Sequence, residues 1–295
     1  MQFDERMRAH GLNFSRAALV SFVLGVALFH QTLWPETVGS SIKHADGSAV
    51  SPCTPESVRN DLFRCHVMDT SHDVVHHSIL DGVDFSNHSH HTKIPSLALC
   101  SVRKVSVSNH LDREFFIKAI ASAVKFANKC IREHRMTVLS VQKKRASNEP
   151  LQQQENDRFK KICYFYGSSN IGELLERVAP IPESLAVAQA ALESGFGSNT
   201  VMHRNNAFFG MMKNKTHLYS FATVYESVVA YSKSLNVNPY YRKFRKERAR
   251  MAKSVKIDSV ALANCLESYS ENKRYSQLVR QLIRDYDLTS MDEMV

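Results

Sequence analysis

The sequence predicts a mostly α-helical domain that begins near Leu111, and three observations carry that expectation. Arg113 to Arg135 places Phe115, Ile117, Ala119, Ile120, Ala123, Val124, Ala127 and Ile131 on one broad apolar face. Ser184 to Ser194 is alanine-rich and strongly helix-forming. Arg242 to Lys256 reads as a further helix, rich in arginine and lysine.

The chain has 295 residues, 43% of them hydrophobic and 23% charged, which is ordinary for a globular protein with a sizeable core. It divides into 1–35, 36–110 and 111–290. In the first part Arg6, Arg8 and Arg16 precede the apolar run Ala17 to Phe29, the layout of a signal peptide or an N-in membrane anchor. Val38-Gly39-Ser40 offers small residues for cleavage without forming a clean A-x-A site, so a retained anchor is the preferred expectation. The chain is therefore expected either in the inner membrane facing the periplasm or secreted to the periplasm.

The second part is a histidine- and serine-rich linker with Pro52, Pro55 and Pro95 and no long periodic run. Seven of the 14 histidines fall between His66 and His91. His72 and His76 would share a helical face, with Asp69 or Asp73 nearby, but no zinc-type spacing appears and no metal is expected. Six cysteines (53, 65, 100, 130, 163, 265) allow complete pairing in an exported chain. Cys130, Cys163 and Cys265 stand in apolar helical contexts, where free buried thiols are the commoner state.

In the third part, Asp112 is the expected N-cap of the first helix. Gln142 to Asp157 is a polar loop or exposed helix. Arg158 to Tyr166 and Ile171 to Val178 are two shorter helices around the turn Gly167-Ser168-Ser169. The central helix follows. Pro182 suits its first turn, Glu183 complements its dipole, and Leu185, Ala188 and Leu192 form an apolar stripe. Gly195 suits the left-handed residue that ends a helix, and Gly197 frees the next turn. Gln189 and Glu193 lie four apart and share a face. Glu193, at the negative end of the dipole in apolar surroundings, has two reasons to hold its proton, as a general acid must. From spacing alone, a solvated helix-end carboxylate is the plainer alternative.

AQAALESGFGSN (188–199), followed by NAFFG (206–210), resembles the catalytic segment of the bacterial glucosaminidases of the Bax and flagellar-hydrolase type, glycoside hydrolase family 73. The resemblance extends from about Leu111 to Tyr286, through REFFIKAIASAVKFANKCI, the block 221–251 and the terminal run SYSENKRYSQLVRQLIRDY (268–286). It implies a lysozyme-like α+β arrangement with a small β-lobe after Gly210, and hydrolysis of peptidoglycan after N-acetylglucosamine. It implies Glu193 as the acid and a tyrosine facing it, Tyr269 first and Tyr275 second. Asn206, Phe208 and Phe209 become the cleft floor, Gln189 and Tyr275 substrate contacts, and no cofactor is needed. Related β-lobes carry a second carboxylate, yet 210–220 contains none. Glu226 is the nearest acid, and its place at a helix start favours capping.

The net charge is +9 and the pI 9.2, which suits an anionic polymer or surface. Eight basic residues lie in Arg242 to Lys256, read as a solvated helix face or an attraction to the acidic envelope. Aromatic interleaving there is too sparse for nucleic acid. Two rivals remain: a lytic transglycosylase, and an envelope-binding or assembly protein that has lost turnover.

Overall fold

The computed structural model describes residues 110–214, 216–253 and 257–292. The apolar run 17–29, the histidine segment, and Cys53, Cys65 and Cys100 lie outside them. Among the described residues no helix is long and apolar enough to cross a membrane.

Helix α1 spans His110–Ala146, 37 residues and about 55 Å. It starts before Asp112 and runs eleven residues past Arg135. The apolar period does not stop there: His134, Val138 and Val141 are fully buried, and Lys143, Lys144 and Arg145 sit where the dipole favours cations. Ser140 and Lys144 both bond the Glu155 carboxylate, tying α1 to α2, Gln153–Tyr166. That helix begins five residues before the expected Arg158 and ends on left-handed Gly167. Asn170 caps α3, Ile171–Arg177, by accepting from the Glu173 amide.

Helix α4, Glu183–Ser194, is buried on every side, not along one stripe. It packs against α1, against α9 (Tyr275–Asp285) and against the closing turn Leu288–Met291. A helix apolar all round belongs in a core, and its alanines permit close approach of neighbours. Pro182 is its N-cap and offers no side-chain bond. Asp292 fills that role from the far end of the chain, accepting from Ser184 N at 2.9 Å and Ser184 Oγ at 2.6 Å.

After α5 (Thr200–Arg204) comes the expected β-lobe, which is reduced to one antiparallel bridge, Met212 to Leu218. Its chain is too short for a ladder, and the Asn214 side chain shapes the turn by accepting from the Thr216 and His217 amides. The described fold is therefore mostly helical with almost no strand. Helix α6 (Val224–Val237) follows, with Thr223 as N-cap.

The basic helix α7 spans Arg242–Met251, shorter than expected, and it is not simply a solvated face. Arg248, 1% exposed, donates to Glu176 O at 3.0 Å and Pro180 O at 3.2 Å and lies over the Phe244 ring. Arg245 donates to Leu235 O and Asn238 O. These guanidiniums satisfy carbonyls on the approach to α4 and at the end of α6. A short α8, Ser259–Leu262, and two 3₁₀ turns lead to α9. Of the described cysteines, Cys163 and Cys265 are free, but Cys130 is disulfide-bonded, contrary to the expectation of a free thiol.

Candidate active site

Glu193 occupies the last turn of α4 and is 3% exposed. Burial disfavours its charged form and raises its pKa to about 8; a hydrogen bond from Tyr275 opposes the shift only in part. Its Oε1 is buried with no hydrogen-bond partner among the described residues. Near neutral pH the group is a carboxylic acid with one uncommitted oxygen. Beyond it Gly195, Phe196 and Gly197 are all left-handed. Ser194 Oγ accepts from Gly197 N at 2.8 Å and donates to Ala190 O at 2.7 Å, locking this reversal to the helix. Phe196 is held in its strained backbone by contact with Phe116 and Tyr286.

The reversal returns the chain over Glu193 through 206–210. Gly210 has φ +63°, and a Cβ there would stand 2.8 Å from Glu193 Oε2. Glycine is thus required by the backbone and by the carboxylate together. Asn206, also left-handed, donates from Nδ2 to Phe221 O at 2.9 Å and Ala222 O at 3.2 Å, stapling the base of the hairpin. Phe208 is fully buried, edge-on to Phe116. Phe209 stacks on Tyr231 with centroids 4.0 Å apart and planes at 14°. All three side chains are buried in the packing, where a cleft floor was expected.

Tyr269 and Tyr275 stack with centroids 5.3 Å apart and planes at 12°. They are not equivalent. Tyr269 donates its hydroxyl to Phe209 O at 2.8 Å, whereas Tyr275 meets the Glu193 carboxylate. Burial raises both phenols well above their ordinary range, so both stay protonated.

Gln189 is fully buried one turn before Glu193 and serves two phenols. Tyr231 donates to its Oε1 at 2.8 Å, and its Nε2 donates to the Tyr275 hydroxyl at 2.9 Å. Tyr231 and Gly210 are the participants that sequence reasoning did not single out. Gly210 had a signal, a glycine closing the NAFFG motif; Tyr231 looked like one more aromatic on α6.

Glu226 accepts from Ala222 N at 3.2 Å, while Thr223 Oγ1 accepts from the Glu226 amide, a capping arrangement at the start of α6. Its carboxylate is engaged there. Among the described residues no group of three or more His, Cys, Asp or Glu is placed to hold a metal.

A buried glutamate whose pKa is raised and which meets a tyrosine is a candidate acid, and comparison with known proteins points to the glycosidase class. Residues 170–288 match the glucosaminidase family model, described as mannosyl-glycoprotein endo-beta-N-acetylglucosaminidase. Over part of its length the chain is also similar to the protein bax of Escherichia coli (strain K12), with 39% identity over 124 residues. That segment covers 38% of this chain and 45% of the relative, so the match spans less than half of that protein's length. No solved structure matches the chain. The family match leaves out α1 and α2, although α1 packs directly on the helix that carries Glu193.

Proposed function

We propose that this domain hydrolyses the glycosidic bond after N-acetylglucosamine in peptidoglycan, with Glu193 as general acid. The observation that carries the reading is the Glu193 carboxyl itself, buried, protonated near neutrality, and with Oε1 uncommitted. Cleavage needs a proton on the leaving oxygen and support for an oxocarbenium-like ring. Glu193 supplies the first.

The second has no obvious carboxylate: 210–220 contains no acid and Glu226 caps α6. Tyr269 is tied to Phe209 O, which leaves the Tyr275 hydroxyl nearest the reacting centre. An ordered water beside Tyr275, or the acetamido group of the substrate, completes the reaction without a second carboxylate. The basic surface favours the acidic envelope, and the run 17–29 fits an export signal or anchor that delivers the domain to the periplasmic side.

A single-carboxylate site also suits a lytic transglycosylase, and one assay separates the readings. Purified peptidoglycan is digested with the protein and with Glu193→Gln, and new chain ends are identified by mass spectrometry. Reducing N-acetylglucosamine ends, absent with the variant, are the expected result. Anhydro ends would convert the reading to a transglycosylase. Co-sedimentation with the polymer without release would make the domain a binding protein.

A further inference from the structure

The catalytic segment holds more polar hydrogen-bonding groups than a single acid needs, and they are connected in one direction. Tyr231 on α6 donates to Gln189 Oε1, and Gln189 Nε2 donates to Tyr275 on α9. The Tyr275 oxygen is then already an acceptor, so its own proton is available for Glu193. All four side chains are buried, between 0% and 3% exposed. Stacking fixes the phenols at both ends: Tyr231 lies on Phe209, and Tyr275 on Tyr269.

We propose that Tyr231, Gln189 and Tyr275 form a directional hydrogen-bond chain whose task is to hold the Tyr275 hydroxyl as a donor to the Glu193 carboxyl, so that the acid proton is not spent on Tyr275. With its oxygen already accepting from Gln189, Tyr275 meets the Glu193 carboxyl as a donor, and the carboxyl proton stays free for a leaving group. The amide is the polarising element. Its two ends are chemically different, so the Tyr231 donation holds it in the one orientation that presents N–H to Tyr275. Were the amide reversed, Tyr275 would donate to Gln189 and accept from Glu193, and the acid proton would be spent inside the protein. Gln189 and Tyr231 are thereby positioning residues that act through Tyr275, and Gln189 is not a sugar contact.

The titratable groups facing Glu193 are few. Tyr275 and Tyr269 approach from α9 and the turn before it, and Tyr241 from the turn before α7; burial keeps all three neutral. Arg248 acts on Tyr231, not on the acid. A change in the chain should therefore be visible in the titration of Glu193.

This inference rests on Glu193 being the general acid, but its test is read without substrate. The Glu193 carboxyl carbon is followed by ¹³C NMR across pH in the full chain, assigned by its loss in Glu193→Gln. Tyr231→Phe removes one oxygen and keeps the stacked ring; Gln189→Leu removes the amide. Each should raise the Glu193 midpoint by roughly half to one pH unit, since Tyr275 is released from donating to it. In a Tyr275→Phe background the same two changes should produce no further shift. Turnover should fall about tenfold in each single variant, with KM unchanged.

A midpoint unmoved by Tyr231→Phe, or shifts that persist without the Tyr275 hydroxyl, would overturn the chain. Coupled shifts in a protein that releases no sugar from peptidoglycan would uphold the chain and overturn the hydrolase reading alone. Thermal melting identifies a Gln189→Leu protein that fails to fold, and Tyr231→Phe then carries the test.

Discussion

The two ends of α4 hold carboxylates in opposite circumstances. At the start, Asp292 accepts two hydrogen bonds from Ser184 beside the positive end of the helix dipole and caps the helix. At the finish, Glu193 has one phenol, one unpartnered oxygen and the negative end of the same dipole. One helix thus carries a fully engaged capping carboxylate at one end and a buried acid with an orphaned oxygen at the other. The first contributes to folding, and the second opposes it near neutral pH.

Removing the acid gives the largest effect. Glu193→Gln should abolish turnover, about a thousandfold or more, while making the protein more stable. The folded-state pKa of about 8 lies above the ordinary carboxylate value of 4.5. Between those two values the unfolded chain has released a proton that the folded chain still holds. Folding stability should therefore fall as pH rises through that window, and the slope should flatten above about 8. The glutamine variant should lose this slope and gain on the order of 2 kcal/mol at pH 7 in urea unfolding. A variant no more stable than the parent at pH 7, yet equal to it at pH 4, would contradict the burial of a protonated acid.

Gly210→Ala should come next. Its Cβ meets Oε2 and its backbone is left-handed, so turnover should drop at least tenfold and stability by about 1 kcal/mol. Near-parental activity would mean that the hairpin gives way easily. Asp292→Ala should have the smallest effect on chemistry: a loss of about 1–2 kcal/mol in unfolding with unchanged turnover per folded molecule. A shift in its pH–rate profile would show that the two ends of α4 are not independent.

The contrast also marks what can be read from residues alone. Glu193 stood out because its neighbours on α4 are alanine and leucine, and Gly195 announced the helix end where the backbone does turn left-handed. Gly167 and Thr223 with Glu226 likewise mark real boundaries, since caps are local chemistry. Asp292 could not be found this way, because it caps a helix 108 residues away. Arg248 looked like a surface cation for the same reason; its partners are carbonyls about seventy residues earlier. Alanine hid the full burial of α4, being as much at home on a surface as between packed helices. The resemblance put Tyr269 before Tyr275 as the tyrosine facing the acid, and only the fold sends the Tyr269 hydroxyl to a backbone carbonyl and the Tyr275 hydroxyl to the acid. The reduced hairpin followed from a length too short for a ladder, which a family resemblance does not convey.

The all-round burial of α4 reaches beyond the site. Amides that lie deep and hydrogen-bonded in a core exchange with solvent only when the whole domain opens. Glu193 therefore rides on the part of the chain last to exchange, and its phenol partner comes from α9, which has an outer face. Amide exchange should therefore be slower along α4 than on the outer face of α9, a difference that exchange measured residue by residue would show.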